Sequence, residues 1–197
     1  MNQYPPGGGY PPGGYPPGGQ TPDPLVRMLR VALGGFGYNF YGTKNQARAD
    51  DLLVRAKASG YLSDAARHLM TLAGEYQMRH IPPLTREHPD PPREALTTVQ
   101  DIRALQQEIA DLEGRVRAMS VPTADRIWDR FRQELMTLRQ LMQFDLDLVR
   151  GSEAVFQQVS GATADNWTTV YAQEVRNMLL RLNQVAQARE QFLRVPF

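Results

Sequence analysis

The sequence predicts an all-α protein whose C-terminal half is an antiparallel bundle of three long helices. Apolar residues recur at spacings of three and four over residues 95–120, 123–150 and 163–194. That spacing places them on one face of each helix. The connections between the three segments are short enough for an antiparallel bundle. We therefore divide the chain into a tail (1–23), a small helical part (24–80), a Pro-rich linker (81–94) and the bundle (95–197).

The tail consists of three near-copies of the sequence YPPGG. It offers no aliphatic side chain for burial beyond Met1, and its glycines raise the entropy cost of ordering, so disorder is predicted. One hypothesis is that its tyrosines contact Pro-binding modules or one another, and the other is that the tail is a solubilising spacer. The candidate contact residues in the tail are Tyr4, Tyr10 and Tyr15.

A short amphipathic helix is predicted over residues 24–34. Asp23 is placed to cap it, and Pro24 suits the first helical position. Its apolar side carries Leu25, Met28, Leu29, Ala32 and Leu33. A short basic amphipathic helix can lie on a membrane surface, and it can equally pack on the rest of the protein. The short length and the presence of only two cations favour packing.

The segment from Gly34 to Gly42 alternates glycines with aromatic residues and carries no charge. Glycines permit tight bends and close ring packing. The aromatic residues either form an exposed patch for a partner or close one end of the core. The candidate interaction residues in this segment are Phe36, Tyr38, Phe40 and Tyr41.

Two helices that form a hairpin are predicted next, over residues 43–59 and 63–79, with Gly60 ending the first. The second helix resembles a DNA-reading helix in outline only, because its polar side is mostly acidic and neutral. The adjacent carboxylates Asp50 and Asp51 point about 100° apart on a helix, which does not suit a catalytic pair. Five prolines then mark residues 81–94 as an extended linker.

The helix over residues 95–120 is the second long helix with a regular apolar pattern. Gly114 interrupts it at a cost of about 1 kcal/mol relative to Ala and leaves room for a close helix crossing. The spacing approaches that of a coiled-coil seam. The seam residues are Val99, Ile102, Leu105, Ile109, Leu112, Val116 and Met119.

The helix over residues 123–150 begins after Pro122 and is expected to end at Gly151, with a short separate helix to follow. Asp145 is expected on its surface, near Arg150. In the last helix, residues 163–194, Arg189 interrupts an otherwise apolar seam. The two apolar stripes are Ile127, Phe131, Leu135, Leu138, Met142, Leu146 and Val149, and then Trp167, Tyr171, Val175, Met178, Leu182, Val185 and Phe192.

The composition and the motifs argue against most catalytic, metal-binding and nucleic-acid-binding functions. The chain has 22 basic and 21 acidic residues and no cysteine, which argues against a nucleic-acid partner and excludes thiolate chemistry and disulfides. The three histidines, His68, His80 and His88, lack metal-ligand spacing, so we expect solvated histidines, no metal site and no cofactor. No nucleophile-elbow, Walker or zinc-protease motif is present.

We therefore expect a non-enzymatic helical interaction or scaffold protein. It is expected to be cytoplasmic, because no signal peptide or membrane span is visible. Self-association is expected, since the long seams suit partner helices, and the tail or the aromatic segment is expected to contact protein partners. One alternative is a peripheral membrane protein that uses residues 24–42. Another is a small-molecule binder or enzyme with a pocket between the two helical parts.

Overall fold

The structure, a computed structural model, describes residues 23–34, 38, 40, 44–83, 90–119 and 133–194; in 44–46 it describes the backbone alone. Within these ranges the chain is all-α, as predicted, and has no strand. Residues 1–22 of the predicted tail, residues 84–89 of the linker and residues 120–132 lie outside them. The helices are α1 (Pro24–Ala32), α2 (Lys44–His80), α3 (Arg93–Ala118), α4 (Leu135–Ser160) and α5 (Thr169–Arg194).

Helix α1 begins as the sequence predicts. The side chain of Asp23 accepts a hydrogen bond of 3.0 Å from the backbone N–H of Leu25, which satisfies one of the free donors at the helix start. Leu25, Leu29 and Leu33 are buried in the core. The helix packs on α4, so its apolar side serves internal packing.

Helix α2 is one continuous helix of 37 residues, so the predicted hairpin is wrong. Gly60 lies inside it, with nothing within 4 Å of the position where a Cβ would stand. A glycine inside a helix costs only about 1 kcal/mol. Burial of Leu62 and Leu69 on the same helix outweighs that cost, because each fully buried leucine contributes about 1.5–3 kcal/mol.

Helix α2 packs along both α3 and α4. It is antiparallel to α3, because Arg103 donates to Gln77 at one end and Arg55 donates to the carbonyl of Arg117 at the other. It runs parallel to α4, because Tyr61 donates to Glu153 at 3.3 Å and, further along α2, His68 contacts the carbonyl oxygen of Ala162 just after α4 ends. The small helical part predicted over residues 24–80 thus shares one hydrophobic cluster with the C-terminal helices.

Helix α5 completes the arrangement. It is antiparallel to α4, and it contacts α3 through Arg176, which forms ion pairs with Asp101 at 2.6 Å and with Glu108 at 3.2 Å. The hydrogen bond to Asp101 raises the pKa of the Arg176 guanidinium. Among the described helices, α2 therefore packs against α3 and α4, α5 packs against the same two, and the shared core lies between them.

The seam predicted for α3 is confirmed, since all seven of its residues are buried. In α4 the stripe is buried at Met142, Leu146 and Val149, whereas Leu135 at the start of the helix is exposed. The earlier stripe residues Ile127 and Phe131 lie outside the described residues.

Helix α4 does not end at Gly151 but continues to Ser160. A Cβ at Gly151 would lie 2.9 Å from Cδ1 of Leu182 on α5. The glycine therefore permits the close approach of two helices. By contrast, no atom lies within 4 Å of a Cβ built at Gly114, so the close crossing suggested for Gly114 is wrong.

The last helix begins at Thr169, later than predicted. Thr163 and Asn166 close a turn, since the N–H of each donates to the side chain of the other, at 2.7 and 3.3 Å. The hydroxyl of Thr168 then accepts from the N–H of Tyr171 at 3.1 Å and caps the helix. No described helix has the length and the apolar composition needed to span a membrane.

We expect the two helix glycines to respond differently to alanine. Gly114→Ala removes backbone entropy from the unfolded chain and meets no atom, so it should stabilise the fold by about 0.5–1 kcal/mol. Gly151→Ala gains the same helix propensity but must displace Leu182, so the gain should be reduced or reversed. Urea unfolding of both variants measures the difference, and equal gains would show that α4 and α5 do not approach closely at Gly151.

Candidate functional site

The strongest polar feature of the described core is Arg189, which is fully buried on α5. Its Nε lies 2.8 Å from Oδ1 of Asp145 on α4, and its Nη2 lies 2.8 Å from Oδ1 of Asp51 on α2. Both carboxylates are fully buried. One guanidinium thus joins three helices through charge-assisted hydrogen bonds, which are the strong class in proteins.

Each of the two carboxylates also accepts a hydrogen bond from a residue other than Arg189. The hydroxyl of Tyr38 donates to Oδ2 of Asp145 at 2.8 Å. Arg55 donates from Nε to Oδ2 of Asp51 at 2.9 Å and from Nη1 to the Arg117 carbonyl at 2.8 Å. We call these residues the Arg189 cluster: Tyr38, Asp51, Arg55, Asp145 and Arg189.

The Arg189 cluster contains two carboxylates and two guanidinium groups, so its formal charges cancel. A buried charge is tolerated only when it is paired and hydrogen-bonded. Because the partners come from α2, α4, α5 and the segment after α1, the cluster sets how these elements fit together. The carboxylate oxygens accept hydrogen bonds from Arg189, Arg55 and Tyr38, so we assign the cluster a positioning role.

The expectation that Asp145 lies on the surface is wrong. Asp145 falls between the buried residues Met142 and Leu146 on α4, and its burial is possible because Arg189 meets it. The sequence signal was Arg189 itself, which interrupts the apolar seam of α5. A cation in such a seam indicates a buried acidic partner, but the sequence does not say which one.

The aromatic residues predicted as contacts lie as follows. Tyr38 is buried, and Phe40 is half-buried against the core. Their rings meet edge to face with centroids 4.9 Å apart. Phe40 has a positive φ of 54°, a conformation that favours glycine. Phe36, Tyr41 and the tail tyrosines Tyr4, Tyr10 and Tyr15 lie outside the described residues.

Two histidines lie within the described ranges and both have partners. The ring of His68 contacts the Ala162 carbonyl, and His80 stacks on Tyr76 with ring centroids 4.3 Å apart. His68 is thus not simply solvated, as the sequence suggested. The described residues contain no group of three His, Asp or Glu side chains arranged to hold a metal ion.

One groove between α2 and α3 has a volume of about 460 Å³ and contains three arginines. Each arginine already meets a carboxylate: Arg55 meets Asp51, Arg67 meets Asp64, and Arg117 meets Glu113. The local charges are therefore largely neutralised, which does not favour an anionic ligand.

A second groove of about 710 Å³ lies where α2 ends and α3 begins. None of its lining residues carries a formal charge: Gly74, Gln77, Met78, Ile81, Pro82, Pro83, Pro91 and Leu96. Met78 is 78 % exposed. Exposed methionines are adaptable apolar contacts and are frequent at protein-binding surfaces.

These two grooves lie along one continuous face of α2 that no other described helix covers. Leu52, Met70 and Met78 are 59 %, 63 % and 78 % exposed, and the remaining positions are also exposed. The spacing is that of a helix contact face. We call it the outer face of α2, and it comprises Leu52, Ala56, Gly60, Asp64, Arg67, Met70, Gly74 and Met78.

Comparison with known protein families, with curated proteins and with solved structures finds no match to this chain. The assignment of a function therefore depends on the residues alone.

We expect Arg189→Met to cost about 3–5 kcal/mol of unfolding free energy, because it leaves Asp51 and Asp145 buried without their cation. The matched control is Arg176→Met, which removes a partly exposed cation from Asp101 and Glu108 and should cost about 1 kcal/mol or less. Urea denaturation at constant pH measures both. Similar losses in the two variants would contradict the positioning role of Arg189.

Tyr38→Phe tests the link between the segment after α1 and the core. The variant removes one hydrogen bond to a buried carboxylate, so a loss of about 1.5–3 kcal/mol is expected. Tyr61→Phe is the control, since its hydroxyl makes a longer bond of 3.3 Å to Glu153 in a half-buried position. If Tyr38→Phe costs no more than the control, Tyr38 does not hold this segment on the core.

Proposed function

We propose that the protein is a non-enzymatic α-helical interaction protein that self-associates. The observation that carries this proposal is the outer face of α2, which presents Leu52, Met70 and Met78 to solvent over most of a 37-residue helix. Exposed apolar side chains aligned along one helix are typical of helix-in-groove or helix-on-helix recognition. The face lies beside an uncharged groove, which adds apolar area for a partner.

The architecture supports the same proposal. We propose that α2 joins the predicted antiparallel bundle of α3, α4 and α5 as a fourth helix between α3 and α4, and that the 24–80 and 95–197 parts work as one body. The Arg189 cluster would fix their relative positions, so that the outer face is presented on a rigid support. Interaction surfaces on rigid elements lose less entropy on binding than surfaces that must first become ordered.

The tail remains a second proposed contact with protein partners, through Tyr4, Tyr10 and Tyr15. Tyr38 is less suited to that role, because its ring is buried and its hydroxyl is used by Asp145. The apolar side of α1 is likewise occupied by the core, so no observation favours membrane binding through residues 24–42. A cytoplasmic location belongs to the proposal as well.

Light scattering of the purified full chain tests self-association. We expect the mean mass to rise from monomer to dimer between low micromolar and millimolar concentration, because an exposed helix face of this kind supports weak, reversible contacts. Met70→Glu/Met78→Glu should hold the chain monomeric without lowering its helix content. A chain that stays strictly monomeric over the same range would show that the proposal of self-association is wrong.

A further inference from the structure

The outer face of α2 has an internal symmetry that indicates its occupant. Leu52 and Met78 lie at equal distances along the helix from Ala65. Gly60 and Met70 also lie at equal distances along the helix from Ala65. A two-fold axis at the level of Ala65 would therefore bring each residue of one copy opposite its counterpart in a second, antiparallel copy, as an isologous contact requires.

The paired side chains are complementary in size. Nothing lies within 4 Å of a Cβ built at Gly60 or at Gly74, so both positions are open notches in the helix surface. In the antiparallel arrangement Met70 of one copy meets the Gly60 notch of the other. Ala56 and Gly74 also have their midpoint at Ala65, and these two small residues let the helices approach closely. Leu52 meets Met78, which closes each end with two large apolar side chains.

The charges are complementary as well. Asp64 and Arg67 are the two charged residues of the outer face, and their midpoint lies within half a residue of Ala65. Within one copy Arg67 Nη1 lies 2.9 Å from Asp64 Oδ1, and both side chains are exposed. At the two-fold axis each Arg67 would also face Asp64 of the second copy, which gives an alternating group of two cations and two anions.

The area is sufficient for a weak dimer. From Leu52 to Met78 the face is about 39 Å long at 1.5 Å per residue, and a helix is about 10–12 Å wide. One copy therefore offers about 430 Å², and the pair buries about 860 Å². This is at the low end for protein contacts and is typical of a weak, reversible one.

We infer that the outer face of α2 binds a second copy of this chain, with the two α2 helices antiparallel and related by a two-fold axis at Ala65. This inference rests on the proposed self-association and assigns its interface and geometry. A partner helix of another protein is the alternative occupant, but it would have no reason to match the midpoint symmetry.

Cysteine cross-linking tests the geometry directly, because the chain contains no cysteine. Leu52→Cys and Met78→Cys are made as separate full-length variants and mixed under mild oxidation. We expect disulfide-linked dimers that contain one chain of each variant. Either variant alone should give little product, because the two like positions in the dimer are about 39 Å apart, far beyond the reach of a disulfide. A mixture of Leu52→Cys and Leu180→Cys, which places the second thiol on an exposed position of α5, is the control for random collision.

Charge exchange gives an independent readout. Asp64→Arg places four cations at the two-fold axis and should weaken dimerisation roughly tenfold or more. Asp64→Arg/Arg67→Asp restores the alternating group and should recover the affinity of the natural chain. Circular dichroism confirms that these exposed substitutions leave the helix content unchanged.

The outcomes separate the two proposals. Efficient cross-linking of Leu52→Cys with itself would indicate parallel helices and would overturn the inference. Dimers seen by light scattering without the mixed disulfide would show that another face is used, so the interface would be wrong while self-association would stand. A strict monomer would overturn both.

Discussion

Burial of the Arg189 guanidinium constrains the rest of this structure. A buried charge left without its partner costs about 3–5 kcal/mol, which is a large share of the roughly 5–15 kcal/mol by which a typical domain is stable, so Asp51 and Asp145 must both be in place whenever the helices are packed. Each of those carboxylates comes from a different helix. A helix displaced along its axis by one turn, about 5.4 Å, would separate the charges, so the cluster opposes such a displacement in addition to the apolar packing.

The same cluster also includes a residue of the segment that follows helix α1. Asp145 accepts from Arg189 with one oxygen and from Tyr38 with the other. The hydroxyl of Tyr38 thus completes the polar group while its ring covers the end of the core. Helix α1 adds Leu25, Leu29 and Leu33 beside it. Of the two interpretations that the sequence leaves open for the segment from Gly34 to Gly42, Tyr38 agrees with the internal one, because it is buried against the core.

Periodicity predicted the helical class and the α3 seam because those features depend on repeated apolar burial, which a sequence shows directly. It failed at Gly60 and Gly151, where we expected glycines to end helices. The cost of a helical glycine is about 1 kcal/mol, which is small beside the burial of the residues around it. The prediction that Asp145 lies on the surface was also wrong, because the burial of Asp145 depends on Arg189, which lies 44 residues later in the chain. Pairings of this kind are tertiary, and spacing along the chain does not reveal them.

The sequence of helix α2 does not show one continuous helix, for a related reason. It has apolar residues on two sides: one side packs on α3 and α4, and the other is the outer face. A helix with two apolar sides has no single stripe, so its sequence resembles two short amphipathic segments. The buried side is explained by the core. Within the part of the chain that the structure describes, no helix covers the exposed methionines, the open glycines or the central Asp64–Arg67 pair. The proposed contact with another helix would cover all three, and their common midpoint favours a second copy of this chain as that helix.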